Sequence, residues 1–154
     1  MVFAQFKLCL PVFFSLCLLV TYAQAEDVNY CNKKAEYDVK VSGVDITPHP
    51  VARGQPATFS ISASTGEEIS GGKLFLDVSY FGFPVHSETH DLCQETSCPI
   101  LAGNFVISHT QELPGFAPPG SYTLTLRMED GNKHQLTCIV FDFSIGLTSS
   151  VAEI

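Results

Sequence analysis

The chain has no tryptophan, and its lysines and arginines number 8 against 16 aspartates and glutamates. The missing tryptophan argues against the Trp-on-disulfide core of antibody-type domains. The shortage of positive charge argues against a nucleic-acid-binding surface, which needs positive potential to meet phosphates. Charged residues make up only 16% while hydrophobic residues make up 45%, so global disorder is excluded as well. Beyond the N-terminal segment there is no uncharged apolar run long enough to span a bilayer. No Asn-x-Ser/Thr acceptor occurs, so N-glycosylation is not expected. No extended segment keeps a clean helical period, and there is no internal repeat.

What is present begins with an address. Lys7 precedes an apolar run from Leu8 to Val20, and the small-x-small site Ala23-Gln24-Ala25 follows. These are the parts of a secretory signal peptide, so residues 1–25 read as removable and 26–154 as the mature domain. The duller reading is a short membrane anchor, but the run is short for a span and ends in a cleavage site. Losing Lys7 leaves 7 basic residues against 16 acidic, a formal −9. Cys9 and Cys17 leave with the signal, and Cys31, Cys93, Cys98 and Cys138 remain. An even count in an oxidising route reads as two disulfides with three possible pairings. Cys93 and Cys98 suit a local staple, whereas a bond from Cys31 to Cys138 would close most of the mature chain.

Six segments alternate apolar and polar residues with period two. They run over Tyr37–Val41, Ala57–Ala63, Leu74–Tyr80, Phe105–Ile107, Tyr122–Met128 and Ile139–Ile145. β-Branched and aromatic residues fill them, as strands prefer. Pro48, Pro50, Gly71-Gly72 and Pro118-Pro119-Gly120 punctuate them, and Asp130-Gly131-Asn132 is a hairpin signal. The pattern predicts an all-β, immunoglobulin-like antiparallel sandwich of about seven strands. Residues 147–154 carry no pattern and read as a loose tail.

The stretch Tyr80-Phe81-Gly82-Phe83-Pro84-Val85 is followed by His90-Asp91-Leu92-Cys93 and Thr96-Ser97-Cys98-Pro99-Ile100. With Glu112-Leu113-Pro114 and Leu136-Thr137-Cys138-Ile139-Val140-Phe141, this order of motifs resembles the ML lipid-recognition family, in its plant-type form. That family includes the Niemann–Pick cholesterol carrier and phosphatidylglycerol/phosphatidylinositol transfer proteins. The resemblance covers residues 28–146. It implies two sheets splayed around one lipid, and the pairings Cys31–Cys138 and Cys93–Cys98. The chain departs from animal sterol carriers at Thr47-Pro48-His49-Pro50, where they carry a third disulfide.

A lipid offers mostly apolar surface, so its carrier needs a dry, aromatic-walled pocket with a polar mouth. The wall candidates are Phe59, Ile61, Leu76, Val78, Tyr80, Phe105, Ile107, Tyr122, Leu124, Phe141 and Phe143. For each of them plain core packing is an equal alternative. Phe83 and Val85 in one turn-rich segment, and Phe116 in another, are candidates for the cavity mouth or for touching a membrane. His86, His90, Cys93 and Cys98 have zinc-ligand chemistry, but a disulfide outweighs that reading in a secreted chain. Ser79, His86 and Asp91 could be named as a hydrolytic set, yet no nucleophile-elbow motif surrounds any serine. No catalytic residue, metal or cofactor is therefore expected.

The resulting expectation is a monomeric, non-enzymatic carrier that binds one sterol or phospholipid and touches membranes transiently. It would act in the secretory pathway, outside the cell (the apoplast) or in a vacuole lumen. The alternative is an extracellular recognition or immunity accessory module that works through a protein receptor.

Overall fold

Period-two alternation over β-branched and aromatic residues becomes strand wherever one face has a core to cover. The computed structural model describes residues 24–147, so the expected signal peptide as far as residue 23 and the expected tail from 148 lie outside the described residues. Two short strands, β1 (Gln24–Glu26) and β2 (Asn29–Tyr30), precede the first long one, β3 (Val39–Thr47). Then come β4 (Pro56–Thr65), β5 (Gly72–Tyr80), β6 (Phe83–Asp91), the one-turn α1 (Leu92–Glu95) and β7 (Gly103–Glu112). The hairpin of β8 (Gly120–Asp130) and β9 (Gln135–Ile145) ends the domain.

One sheet has the order β1-β3-β4-β7 and the other β2-β9-β8-β5-β6. Every pairing between these strands is antiparallel. The inward faces meet in one apolar core in which Ile46, Ile61, Leu74, Ile107, Leu126 and Ile139 are fully buried. The β8–β9 turn forms as its residues dictate: the Asp130 carboxylate accepts the amides of Asn132 and His134, both at 2.9 Å.

Two features differ from the sequence pattern. The first strand continues past Val41 to Thr47, because a bulge between Val41 and Gly43 re-phases the alternation and turns Val44 and Ile46 inward. The segment after Gly82 is a strand, not the loop that its composition suggested. Phe81 (φ 50°) and Gly82 (φ 78°) form a two-residue turn with both residues left-handed, which joins β5 to β6 as a tight hairpin. Its inward positions are His86, Glu88 and His90, which pair with Val78, Leu76 and Leu74. Charged residues facing inward on an edge strand erase the apolar alternation that would have announced it.

The two long sides of the sandwich differ. On one side the Val41 amide donates to Tyr30 Oη at 2.9 Å, and Val51 bonds to the end of β9 through Ser144 O at 2.8 Å. A disulfide joins Cys31 to Cys138 there. On the other side the edge strands β6 and β7 belong to different sheets. They are connected by α1 and by the Cys93–Cys98 disulfide.

Candidate functional site

The sheets part between the β6 and β7 edges, leaving a cavity of about 350 Å³ with a mostly apolar lining. Its inner wall is aromatic. Tyr80 and Tyr122 stack at 4.6 Å, Tyr122 stacks on Phe143 at 5.5 Å, and Phe59 meets Phe143 edge-on at 5.5 Å. Phe59 comes from one sheet and the other rings come from its partner, so this row of rings crosses the gap. Leu76, Val78, Leu124 and Ile145 complete the apolar wall.

The rim is built by the turn-rich segment before β8. Leu113, Pro114, Phe116, Ala117 and Pro118 border the opening, with Val85 across from them on β6. Two tyrosine hydroxyls hold this segment: Tyr122 donates to Pro118 O at 2.7 Å and Tyr80 to Pro119 O at 3.1 Å. Burial first, then the neighbouring Tyr80, pushes the Tyr122 phenol above its ordinary pKa, so it stays a neutral donor. Gly120 follows with φ 132°, and a Cβ there would stand 3.4 Å from the Tyr80 ring. Exposed phenylalanines surround the rim: Phe116 at 86%, Phe83 at 72%, and Phe81 at 79%, whose ring packs against Tyr80 at 4.4 Å.

Of the wall and mouth candidates, Phe59, Leu76, Val78, Tyr80, Val85, Phe116, Tyr122, Leu124 and Phe143 are brought together around the cavity. Ile61, Ile107 and Phe141 are buried in the core and do not border it. Phe105 packs partly buried against the core, and Phe83 points to solvent beside the opening.

A polar mouth is present, but Glu88, His109, Gln111 and Glu112 in its lining were not among the sequence candidates. His86 and Glu88 from β6 face His109, Gln111 and Glu112 from β7 across the open edge. His86 Nε2 lies 2.6 Å from Glu88 Oε1, and His90 Nε2 lies 2.8 Å from Glu88 Oε2. His109 is only 5% exposed, with Nδ1 3.2 Å from Glu95 Oε1 on α1. Burial alone would raise the Glu88 carboxyl. Hydrogen bonds from His90 and His86, and their charge, outweigh it and hold the group below its ordinary 4.5. The one signal in the sequence was His109 two residues beyond Ile107, in phase with the inward face of β7.

The cysteines considered as zinc ligands are both in the Cys93–Cys98 disulfide. Ser79, His86 and Asp91 are not wired as a catalytic set. The Asp91 carboxylate instead accepts the Cys93 amide at 2.8 Å, and His86 Nε2 is engaged by Glu88.

An Arabidopsis thaliana protein named MD-2-related lipid-recognition protein ROSY1 is 33% identical over 119 residues, covering 72% of each chain. A Dictyostelium discoideum protein provisionally named as a phosphatidylglycerol/phosphatidylinositol transfer protein is 30% identical, over 80% of this chain and 88% of its own. A Niemann-Pick type C2 protein from the Japanese carpenter ant has the same fold at 12% identity, with a TM-score of 0.53 over 81% of this chain and 96% of that one. The profile of the ML domain matches residues 25–145, and this chain belongs to that family.

Proposed function

We propose that this protein is a non-enzymatic carrier that holds one sterol or phospholipid between its sheets and passes it between membranes. The observation that carries the reading is the aromatic-floored cavity, which opens between two unpaired sheet edges inside a lipid-recognition fold. Its volume is at the lower end of the range of about 300–1,000 Å³ usual for ligand pockets. A rigid single-body lipid such as a sterol suits that volume. A two-chain phospholipid would need the edges to spread further. The provisional name of the Dictyostelium relative favours phospholipid, and the motif resemblance to a family that includes a cholesterol carrier keeps sterol in the proposal.

Delivery follows from the rim. Phe81, Phe83 and Phe116 present apolar rings beside the opening, as a surface that dips into a bilayer interface would. The expected signal segment and the disulfides support action in the secretory pathway, outside the cell or in a vacuole, and the proposed carrier works as a monomer. The same exposed rim supports a second reading, a recognition module that offers its lipid to a protein receptor.

Solvent extraction and mass spectrometry of the purified protein test the carrier reading. A lipid in stoichiometric amount is expected, and its identity decides between sterol and phospholipid. A fluorescent sterol or phospholipid should then move from donor to acceptor vesicles faster with the protein than without it. An empty protein that also fails to accelerate transfer would overturn the proposal.

A further inference from the structure

The polar cluster on the open edge has more acceptors than its histidines can satisfy. Five ring nitrogens face oxygen. His86 Nε2 and His90 Nε2 address Glu88 at 2.6 and 2.8 Å. His90 Nδ1 and His109 Nδ1 address the same oxygen of Glu95, at 3.6 and 3.2 Å. His109 Nε2 faces Gln111 Oε1 at 3.2 Å and Glu88 Oε2 at 3.8 Å. A neutral imidazole carries one N–H, so three of them supply three donors for five positions. With Gln111 presenting its oxygen, two of the five ring nitrogens are left without a proton against an acceptor, in a site where the His109 side chain is 7% exposed and that of Glu95 12%.

From this geometry we infer a site for a zinc-class divalent cation, with His90 Nε2, His109 Nε2 and a Glu88 oxygen as ligands. Glu88, His90 and His109 each offer a ligand atom within 4.8 Å of the others, and Glu88 Oε2 lies 2.8 Å from His90 Nε2 and 3.8 Å from His109 Nε2. Tetrahedral donors about 2.0–2.1 Å from zinc stand about 3.3 Å apart, so modest side-chain shifts close the site. The cation also repairs the proton count. With His90 and His109 ligating through Nε2, each carries its proton on Nδ1; His109 donates it to Glu95 at 3.2 Å, and His90 faces the same oxygen at 3.6 Å. His86 donates from Nε2 to the other Glu88 oxygen. All five positions are then matched by neutral rings, and Glu95 orients both ligating histidines, as carboxylates behind zinc-bound histidines do. Two imidazoles and a carboxylate suit zinc better than the hard cations magnesium and calcium.

The placement gives the cation a structural consequence. His90 and Glu88 belong to β6 and His109 to β7, so a bound ion would tie together the edges of two separate sheets. Glu88 and His109 also border the cavity, which leaves the fourth coordination position on that side for water or a ligand oxygen.

The test uses the full disulfide-bonded protein, purified without a polyhistidine tag and stripped by chelator, with zinc and cobalt(II) salts as probes. Calorimetry should show one zinc per chain, and cobalt should give the visible absorption of a tetrahedral site. Melting should shift upward in excess zinc. Glu88→Gln and His90→Gln should each weaken binding at least about tenfold while still melting cooperatively. Glu95→Gln, which touches no metal, should weaken it by about 10–100-fold. His134→Gln, at the surface pair with Asp38, should change nothing. No saturable uptake by the folded protein would overturn the inference. Uptake that survives Glu88→Gln and His90→Gln would overturn it too. Neither result depends on whether a lipid is bound.

Discussion

Val78 borders the void next to Leu76 on the same strand, while Leu74 is fully buried in the core. Replacing it with Trp should fill the void, so lipid retention after purification should fall several-fold while the fold persists. If the site were packed instead, the same change would cost about 1–3 kcal/mol by overpacking. Full retention with a lowered melting temperature would remove Val78 from the lining. Glu88 makes a prediction of the opposite kind, about pH. Its carboxyl is held below 4.5 in the fold, so its charge stabilises the native state above that value. The contribution is lost as pH falls below 4.5 through the folded pKa. Glu88→Gln should therefore lower the denaturant midpoint at neutral pH, and the two proteins should converge in acid. Parallel stability curves from pH 6 to pH 3 would sink this account.

The β5–β6 turn carries an element-scale prediction. Phe81 holds φ 50°, a region that suits Asn or Gly far better than a bulky aromatic, yet its ring is left largely in solvent. An unfavourable residue kept exposed at the cavity rim is better explained by contact with a bilayer than by stability. Phe81→Asn should leave the melting temperature unchanged or slightly raised and slow lipid delivery to vesicles. Unchanged transfer rates would count against the membrane-facing rim. This hairpin also marks the limit of what the sequence discloses. The six alternating segments all became strands, the first from Val39 rather than Tyr37, because each covers the core with one apolar face. β6 stayed hidden because His86, Glu88 and His90 occupy its inward positions. The aromatic wall residues were legible as inward-facing, but inward does not distinguish cavity from core: Phe59 borders the void and Ile61, two residues on, does not. That difference depends on how far the sheet edges part, which is set by contacts between strands distant in sequence.

At the scale of the whole molecule the sandwich is closed along one side and open along the other. The closed side has the Tyr30–Val41 hydrogen bond, the Val51 bridge to β9 and the Cys31–Cys138 disulfide. Among the described residues the open side is linked by α1, the Cys93–Cys98 disulfide, the Thr96–Val106 hydrogen bond, the Ile69–Ile100 bridge and the histidine–glutamate cluster between β6 and β7. Spreading the open edges while the closed side holds would admit a ligand without unfolding the core. The two disulfides should therefore fail differently. Cys31–Cys138 spans a sequence separation of 107, so removing it should lower stability by about 4–5 kcal/mol on the chain-entropy model. Cys93–Cys98 spans a separation of 5 and should cost only about 2 kcal/mol. The second bond, however, fixes the corner from which Glu95 reaches His90 and His109. Paired serine replacement of Cys93 and Cys98 should thus speed lipid loss more than its small stability cost suggests. The same replacement of Cys31 and Cys138 should lower the urea midpoint more and change lipid release less, under conditions where both variants are folded. Midpoints and release rates that rank the two variants in the same order would show that opening is not confined to the β6–β7 side.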